Sequence, residues 1–131
     1  MERREAEREA LRQRVTKLEN KKAQAEQRRR ELAAEAEAEV LRARGNAAFS
    51  SARYEDAVAD YTEALERTPR SAPLYSNRAL ALLKLRAHAE AEEDASAALG
   101  IDGTNVKARL RRAQARMELA RFDEVDIDID R

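Results

Sequence analysis

The feature that most constrains the fold of this chain is an internal repetition with a period of about 34 residues. Shifting the 131-residue sequence by that period aligns the ring-bearing residues Tyr54, His88 and Phe122. The same shift superimposes small apolar or acidic residues on residues of their own kind: Ala57, Ala91 and Val125; Asp60, Asp94 and Asp128; Ala64 and Ala98. A repetition of this length indicates supersecondary units that stack side by side, so it decides the fold before any single motif does.

This period, with two helices per unit, is typical of the tetratricopeptide repeat (TPR). Residues of the first unit fall on the signature positions of that repeat, namely Gly45, Ala57, Tyr61, Ala64 and Pro69. Each unit is a helix hairpin that cannot bury its apolar face alone, and stacked neighbours complete the core. We therefore predict an all-α TPR solenoid of two and a half to three repeats, at 38–71, 72–105 and a truncated 106–131.

The apolar pattern predicts two helices, A and B, in each unit. We expect helices at 39–51 and 55–67, at 72–85 and 89–99, and at 105–119, with a last helix that begins near Phe122. A solenoid normally ends in a polar capping helix, and the short third unit offers none. We expect either that the native chain continues or that the open face is covered by another copy of the chain or by its N-terminal helix.

The segment 1–38 is predicted to be a long charged helix that precedes the TPR domain at 39–131. Apolar residues recur in it at every seventh position, at Leu11, Leu18, Ala25 and Leu32. The companion heptad position is occupied by Val15, Lys22, Arg29 and Ala36. In a coiled coil these two heptad positions would form the apolar seam between the helices. Because two of the residues are basic and Ala25 is small, this seam is weak. Two states stay open: a coiled coil that forms a homo-oligomer, and a solvated single helix supported by Glu/Arg pairs.

Composition narrows the classes of function. The 26 Lys and Arg residues balance 26 Asp and Glu residues, so the net charge favours neither nucleic acid nor a membrane surface as a partner. The chain has no Cys, one His and no glycine-rich phosphate loop, which predicts no enzyme, no cofactor and no metal site. With no apolar run long enough to cross a membrane and no signal segment, we expect a cytoplasmic protein.

The A helices of such a solenoid line its inner groove, and polar residues fall on them at helical spacing. The cations and amides concerned are Arg42, Asn46, Asn77, Lys107 and Arg111. Arg grips a carboxylate with two parallel hydrogen bonds, Lys adds a compact charge, and amides donate without bulk. The set suits an acidic peptide that ends in a free carboxylate. An apolar wall for a neighbouring side chain is predicted from Phe49, Leu80 and Leu83.

The stretches RARGNAAF, LYSNRALA and VKARLRRA resemble the carboxylate-clamp TPR domains of heat-shock chaperone cofactors. That group includes myosin-chaperone, organising-protein and dynein-assembly-factor-like cofactors. Asn46, Asn77, Lys107 and Arg111 match its pattern, and Arg42 stands where Lys is usual. The resemblance implies a co-chaperone-like adaptor that binds the acidic C-terminal EEVD tail of Hsp70- and Hsp90-type chaperones.

A second hypothesis belongs to a different class. The chain would be a structural or assembly scaffold, for example ciliary or cytoskeletal, whose N-terminal helix contacts a client or assembly protein. The TPR groove would then bind another acidic peptide, or its cations would form an ordinary solvated face. Charge reversal at Lys107 and Arg111 tests the clamp, because partner binding that survives this change would make the clamp incidental.

Overall fold

The computed structural model describes the backbone of residues 2–129 and side chains as far as Arg121. Five helices follow one another in this range: α1 (Glu2–Ser50), α2 (Tyr54–Arg67), α3 (Ala72–Lys84), α4 (His88–Ile101) and α5 (Val106–Ile129). Residues 1–34 and 35–131 form two separate compact units. The candidate site lies wholly within the second unit.

The predicted helix hairpins are present. Helices α2, α3 and α4 occupy the segments expected for 1B, 2A and 2B, and the long charged helix continues into 1A without a break. The prediction for the third unit is wrong at its end, because α5 runs on to Ile129 and no separate helix begins near Phe122. The turns after α1 and α3 also lack Gly and Pro, and there the reversed chain is held by the B helix that follows, α2 or α4; among the described residues no further element packs back on α5 in this way.

The turns from A helix to B helix repeat at the level of the backbone. Ala52 and Arg86, which are one repeat period apart, both adopt left-handed conformations, with φ values of 59° and 65°. In each turn the next amide donates back into the preceding helix, from Arg53 to the Ala48 carbonyl at 2.8 Å and from Ala87 to the Leu82 carbonyl at 2.9 Å. This is the hydrogen-bond pattern of a Schellman motif, which ends the helix and reverses the chain.

Small residues that recur with the repeat period allow the close packing between helices. Ala57, Ala64, Ala91 and Ala98 have no exposed surface. Leu65 and Leu74 are buried beside them and fill the remaining space between hairpins. The tightest approach is at Gly45, where a Cβ atom would lie 2.7 Å from Cε1 of the Tyr61 ring. Glycine at this position therefore lets α1 lie directly against the buried ring of α2.

One face of α5 stays open in the described part of the chain. Val106, Leu110 and Met117 are all largely exposed on it. The expectation that a further element covers this face stays a prediction. The side chains of Phe122, Val125 and Asp128, which extend the repeat pattern, lie outside the described residues.

Candidate functional site

The site begins where α1 and α2 meet. Because Gly45 lets the helices approach, the hydroxyl of Tyr61 reaches the next residue of α1 and donates to Oδ1 of Asn46 at 2.5 Å. The Asn46 side chain is exposed. With its carbonyl oxygen held by Tyr61, the amide NH2 group of Asn46 can donate to a ligand.

A second anchor joins α5 to α3. Nη1 of Arg111 donates to the main-chain oxygen of Ser76 at 3.1 Å and also to the Ser76 hydroxyl. Ser76 is only 2% exposed, so it forms a fixed support. Among residues 2–121 no side chain or carbonyl accepts from the Nε–Nη2 edge of Arg111. That edge is the one with which arginine binds a carboxylate through two parallel bonds.

The ring of Tyr61 links these two anchors electrostatically. Burial raises the pKa of Tyr61, and the positive charges of Arg111 and Arg42 act in the opposite direction. Both guanidinium groups therefore lie within electrostatic range of the hydroxyl that holds Asn46. Burial also lowers the pKa of Arg111, because a half-buried cation loses hydration. Helices α1, α2, α3 and α5 thus bring Arg42, Asn46 and Arg111 into one region.

Two other arginines of the A helices are occupied by structural ion pairs. Arg44 contacts Asp60 at 2.8 Å, between α1 and α2. Arg78 holds both carboxylate oxygens of Asp94, at 2.6 and 2.8 Å, between α3 and α4. The two pairs stand one repeat period apart and tie each A helix to its own B helix. Their charges are satisfied within the hairpins and are not directed at a ligand.

Arg42 differs from the residues around it. Its guanidinium contacts Glu39, three residues earlier on the same helix face, at 2.9 Å from Nε and more closely from Nη2. This hydrogen bond raises the pKa of Arg42 and lowers the pKa of Glu39. Arg42 lies in the region of the predicted carboxylate site. Its Nε–Nη2 edge must release Glu39 before that edge can bind the carboxylate of a ligand.

Asn77 and Lys107 complete the predicted polar set. Asn77 follows Ser76 on α3 and is half-buried, and Lys107 is exposed on α5 one turn before Arg111. Within the described side chains neither forms a hydrogen bond or an ion pair. A half-buried amide without a partner in the protein is suited to binding a ligand, because burial without a hydrogen bond is unfavourable.

The predicted apolar wall is only partly assembled. Leu80 and Leu83 line one open cavity of about 480 Å³, together with Gln114 and Glu118 of α5. Lys107, Arg111, Gln114 and Glu118 follow one face of α5, so the cavity lies on the same face of this helix as the two predicted cations. Phe49 is half-buried and packs edge-to-face against Tyr54 in the α1–α2 turn, with ring centroids 5.3 Å apart.

Sequence reasoning missed three residues of this site. Tyr61 was assigned only to the repeat signature, although its hydroxyl positions Asn46. Ser76 carried no usable signal, since its contact with Arg111 spans 35 residues. Glu39 could have been found, because an acidic residue three positions before Arg42 falls on the same helix face.

Two further findings concern the described residues. No helix among them is long and apolar enough to cross a membrane. No group of three or more His, Asp or Glu side chains within the described range is arranged to hold a metal ion.

Comparison with known proteins gives consistent matches to one repeat family. The family model described as Tetratricopeptide repeat matches residues 38–71. Protein unc-45 homolog B from Mus musculus is 40% identical over 101 residues, which is 75% of this chain and 11% of that protein. The chain thus spans about a tenth of the length of this curated relative.

Some of the similar solved structures are TPR domains in complex with a peptide. The second TPR of Spaghetti (RPAP3), bound to the HSP90 peptide SRMEEVD, is 36% identical, with a TM-score of 0.64 over 72% of this chain and 87% of that one. The TPR2B domain of yeast Sti1 in complex with an Hsp70 peptide is 36% identical, with a TM-score of 0.63 over 67% of this chain and 70% of that one. TPR units are protein-interaction folds, and the helix order and the matches agree: the chain belongs to the tetratricopeptide-repeat family.

Proposed function

We propose that this chain is a protein-interaction module, without catalytic activity of its own, that binds the acidic C-terminal tail of Hsp70- or Hsp90-type chaperones in the cytoplasm. Arg42, Asn46, Asn77, Lys107 and Arg111 act as a carboxylate clamp. The observation that carries the proposal is Arg111, a half-buried cation that has no carboxylate partner among the described residues.

The contrast with two other arginines of the A helices supports this assignment. Arg44 and Arg78 have Asp60 and Asp94 within 2.8 Å, so their charges serve the hairpins. A cation that loses hydration without gaining a negatively charged partner is destabilising, and such groups are retained chiefly where a ligand supplies the missing charge. Lys107, one turn away on the same face of α5, adds a second cation that is not paired within the described side chains.

The two amides determine how a peptide would lie. Asn46 has its carbonyl oxygen held by Tyr61 and its NH2 group available, and Asn77 has both of its polar atoms available within the described part of the protein. Amide donors bind the oxygens of a terminal carboxylate or of the peptide main chain. Leu80 and Leu83 would contact an apolar side chain further along the ligand.

Two similar structures contain peptides of the proposed class. The RPAP3 domain is bound to the HSP90 peptide SRMEEVD, and the Sti1 domain is in complex with an Hsp70 peptide. Because these domains share about a third of their residues with this chain, a peptide with an acidic C-terminus is the favoured ligand. A small interface of this kind gives affinities of about 1–100 µM, and salt should weaken binding because part of the attraction is electrostatic.

Calorimetric titration with two peptides that end in Met-Glu-Glu-Val-Asp tests the proposal. One peptide has a free C-terminal carboxylate and the other is amidated. We expect binding of the free acid alone and a loss of about tenfold or more in affinity in Lys107→Ala, which removes one charge-assisted contact. Lys107 forms no described contact with the protein, so its replacement should leave stability unchanged.

Arg116→Ala is the matched control. It removes one positive charge from the same helix, but Arg116 faces α4, where it contacts Glu92 at 3.5 Å. If both variants lose the same peptide affinity, the effect depends only on net charge, and this result would contradict the clamp. A folded protein that binds neither peptide would favour the scaffold hypothesis, in which the N-terminal helix is the active surface.

A further inference from the structure

The N-terminal part of α1 presents an apolar seam that nothing in its own unit covers. Leu11, Val15, Leu18 and Leu32 are between 48% and 66% exposed. They occupy the core positions of a heptad repeat, in which Leu11, Leu18, Ala25 and Leu32 are d residues and Val15, Lys22 and Arg29 are a residues. Large apolar side chains at regular spacing along an exposed helix indicate a helical partner.

The charges that flank the seam identify that partner. The g positions before the a residues carry Arg14, Lys21 and Arg28, and the e positions after the d residues carry Arg12, Glu19, Glu26 and Ala33. In a parallel coiled coil, each g residue faces the e residue five positions later on the other chain. A second copy of this helix in register therefore pairs Arg14 with Glu19 and Lys21 with Glu26, on both sides of the seam.

The same residues disfavour an antiparallel arrangement. There, g residues face g residues and e residues face e residues, so the basic g residues Arg14, Lys21 and Arg28 would face one another. The flanking charges are also available, because within residues 2–34 none of Arg14, Glu19, Lys21 and Glu26 forms an ion pair. The ion pairs present in this segment are Arg12–Glu9 and Arg28–Glu31.

We propose that residues 7–33 form a parallel, in-register, two-stranded coiled coil with a second copy of the same chain. Lys22 and Arg29 at a positions favour two strands over three or four, because their charged ends must reach water past the seam. They also weaken the assembly, so dimerisation depends on protein concentration. The surface used is separate from the peptide groove, and the inference does not rest on the proposed function.

Sedimentation equilibrium tests the assembly and its charge pattern. We expect the full chain to approach twice its mass of 14.8 kDa at concentrations of about 10–100 µM. The variants Arg14→Glu/Lys21→Glu and Glu19→Lys/Glu26→Lys each place like charges on both flanks. Each should need about tenfold more protein to dimerise, and an equimolar mixture of the two should restore association. The control Lys17→Glu/Arg30→Glu makes the same charge change as the first variant, away from the flanks.

Cysteine cross-linking tests the orientation, and the chain has no native cysteine to interfere. Leu11→Cys and Leu32→Cys lie about 32 Å apart along the helix. In a parallel pair each variant alone forms a disulfide-linked dimer under mild oxidation, whereas Gln13→Cys and Gln27→Cys, on the outer face, do not.

Three results would overturn the proposal. One is a helical wild-type chain that stays at its monomer mass up to about 1 mM. Another is a control variant that dissociates as readily as the flank variants. The third is cross-linking that occurs only when the Leu11→Cys and Leu32→Cys proteins are mixed, which is the signature of antiparallel helices.

Discussion

The repeated arginine–aspartate pair provides an internal comparison of how burial changes the strength of an ion pair. Arg44–Asp60 and Arg78–Asp94 occupy equivalent positions in successive hairpins. The arginine side chain is 59% exposed in the first pair and 21% exposed in the second. The aspartates are about equally buried, at 12% and 10%, so the two sites differ in the hydration of the cation and in its contacts: Arg44 binds one oxygen of Asp60 and also lies 3.5 Å from Glu63, whereas Arg78 binds both oxygens of Asp94.

Replacing Asp94 by alanine should destabilise the protein far more than replacing Asp60. Breaking a fully buried pair costs about 3–5 kcal/mol, and breaking an exposed pair costs about 0–1 kcal/mol. Arg78 would keep its contact with the Thr62 hydroxyl at 3.2 Å and its position over the Tyr75 ring at 5.5 Å. We therefore expect a loss of about 2–3 kcal/mol for Asp94→Ala and about 1 kcal/mol or less for Asp60→Ala.

Urea unfolding followed by circular dichroism measures both values on the same scale. Double-mutant cycles isolate the pairwise energy, with Arg78→Ala/Asp94→Ala for one pair and Arg44→Ala/Asp60→Ala for the other. The coupling energy should be at least about 1 kcal/mol larger for the buried pair. If Asp60→Ala costs as much as Asp94→Ala, exposure of the arginine does not set the strength of these pairs and the reasoning fails.

Three further predictions concern the site and its scaffold. Glu39→Gln should raise the affinity for an acidic peptide by roughly two- to fivefold, because it releases Arg42; an unchanged or lower affinity in calorimetry would mean that Arg42 takes no part in binding. Gly45→Ala should lower the free energy of unfolding by about 1–2 kcal/mol, since overpacking against Tyr61 outweighs the gain in helix propensity; a more stable variant in urea unfolding would contradict the close approach of α1 and α2. Ala52→Gly should raise that free energy by about 0.5–1 kcal/mol, because it relieves a left-handed backbone conformation; a loss of stability would argue against that conformation.

Much of the fold could be predicted because a repeat encodes it several times. The repeat period and the small residues at Ala57 and Ala91 both describe nearest-neighbour packing, which local sequence determines. The same pattern misled at the third unit, where periodicity predicted a break near Phe122 and α5 continues. Periodicity indicates where a hairpin would turn, but the turns at Ala52 and Arg86 contain no Gly or Pro, so a turn also depends on a B helix that packs back on its A helix.

The sequence by itself determined the hairpins and placed Arg42, Asn46, Asn77, Lys107 and Arg111 on A helices, because helical spacing assigns each residue to a face. The contact of Arg42 with Glu39 is local, since the two residues lie three positions apart on one helix. Only the tertiary structure decided how the other side chains are held: Asn46 is oriented by Tyr61, and Arg111 is anchored on Ser76. The contacts of Asn46 and Arg111 join residues 15 and 35 positions apart, and they depend on how closely neighbouring helices approach. A face can be read from spacing, whereas the partner of a side chain on that face is set by distances across the packed core.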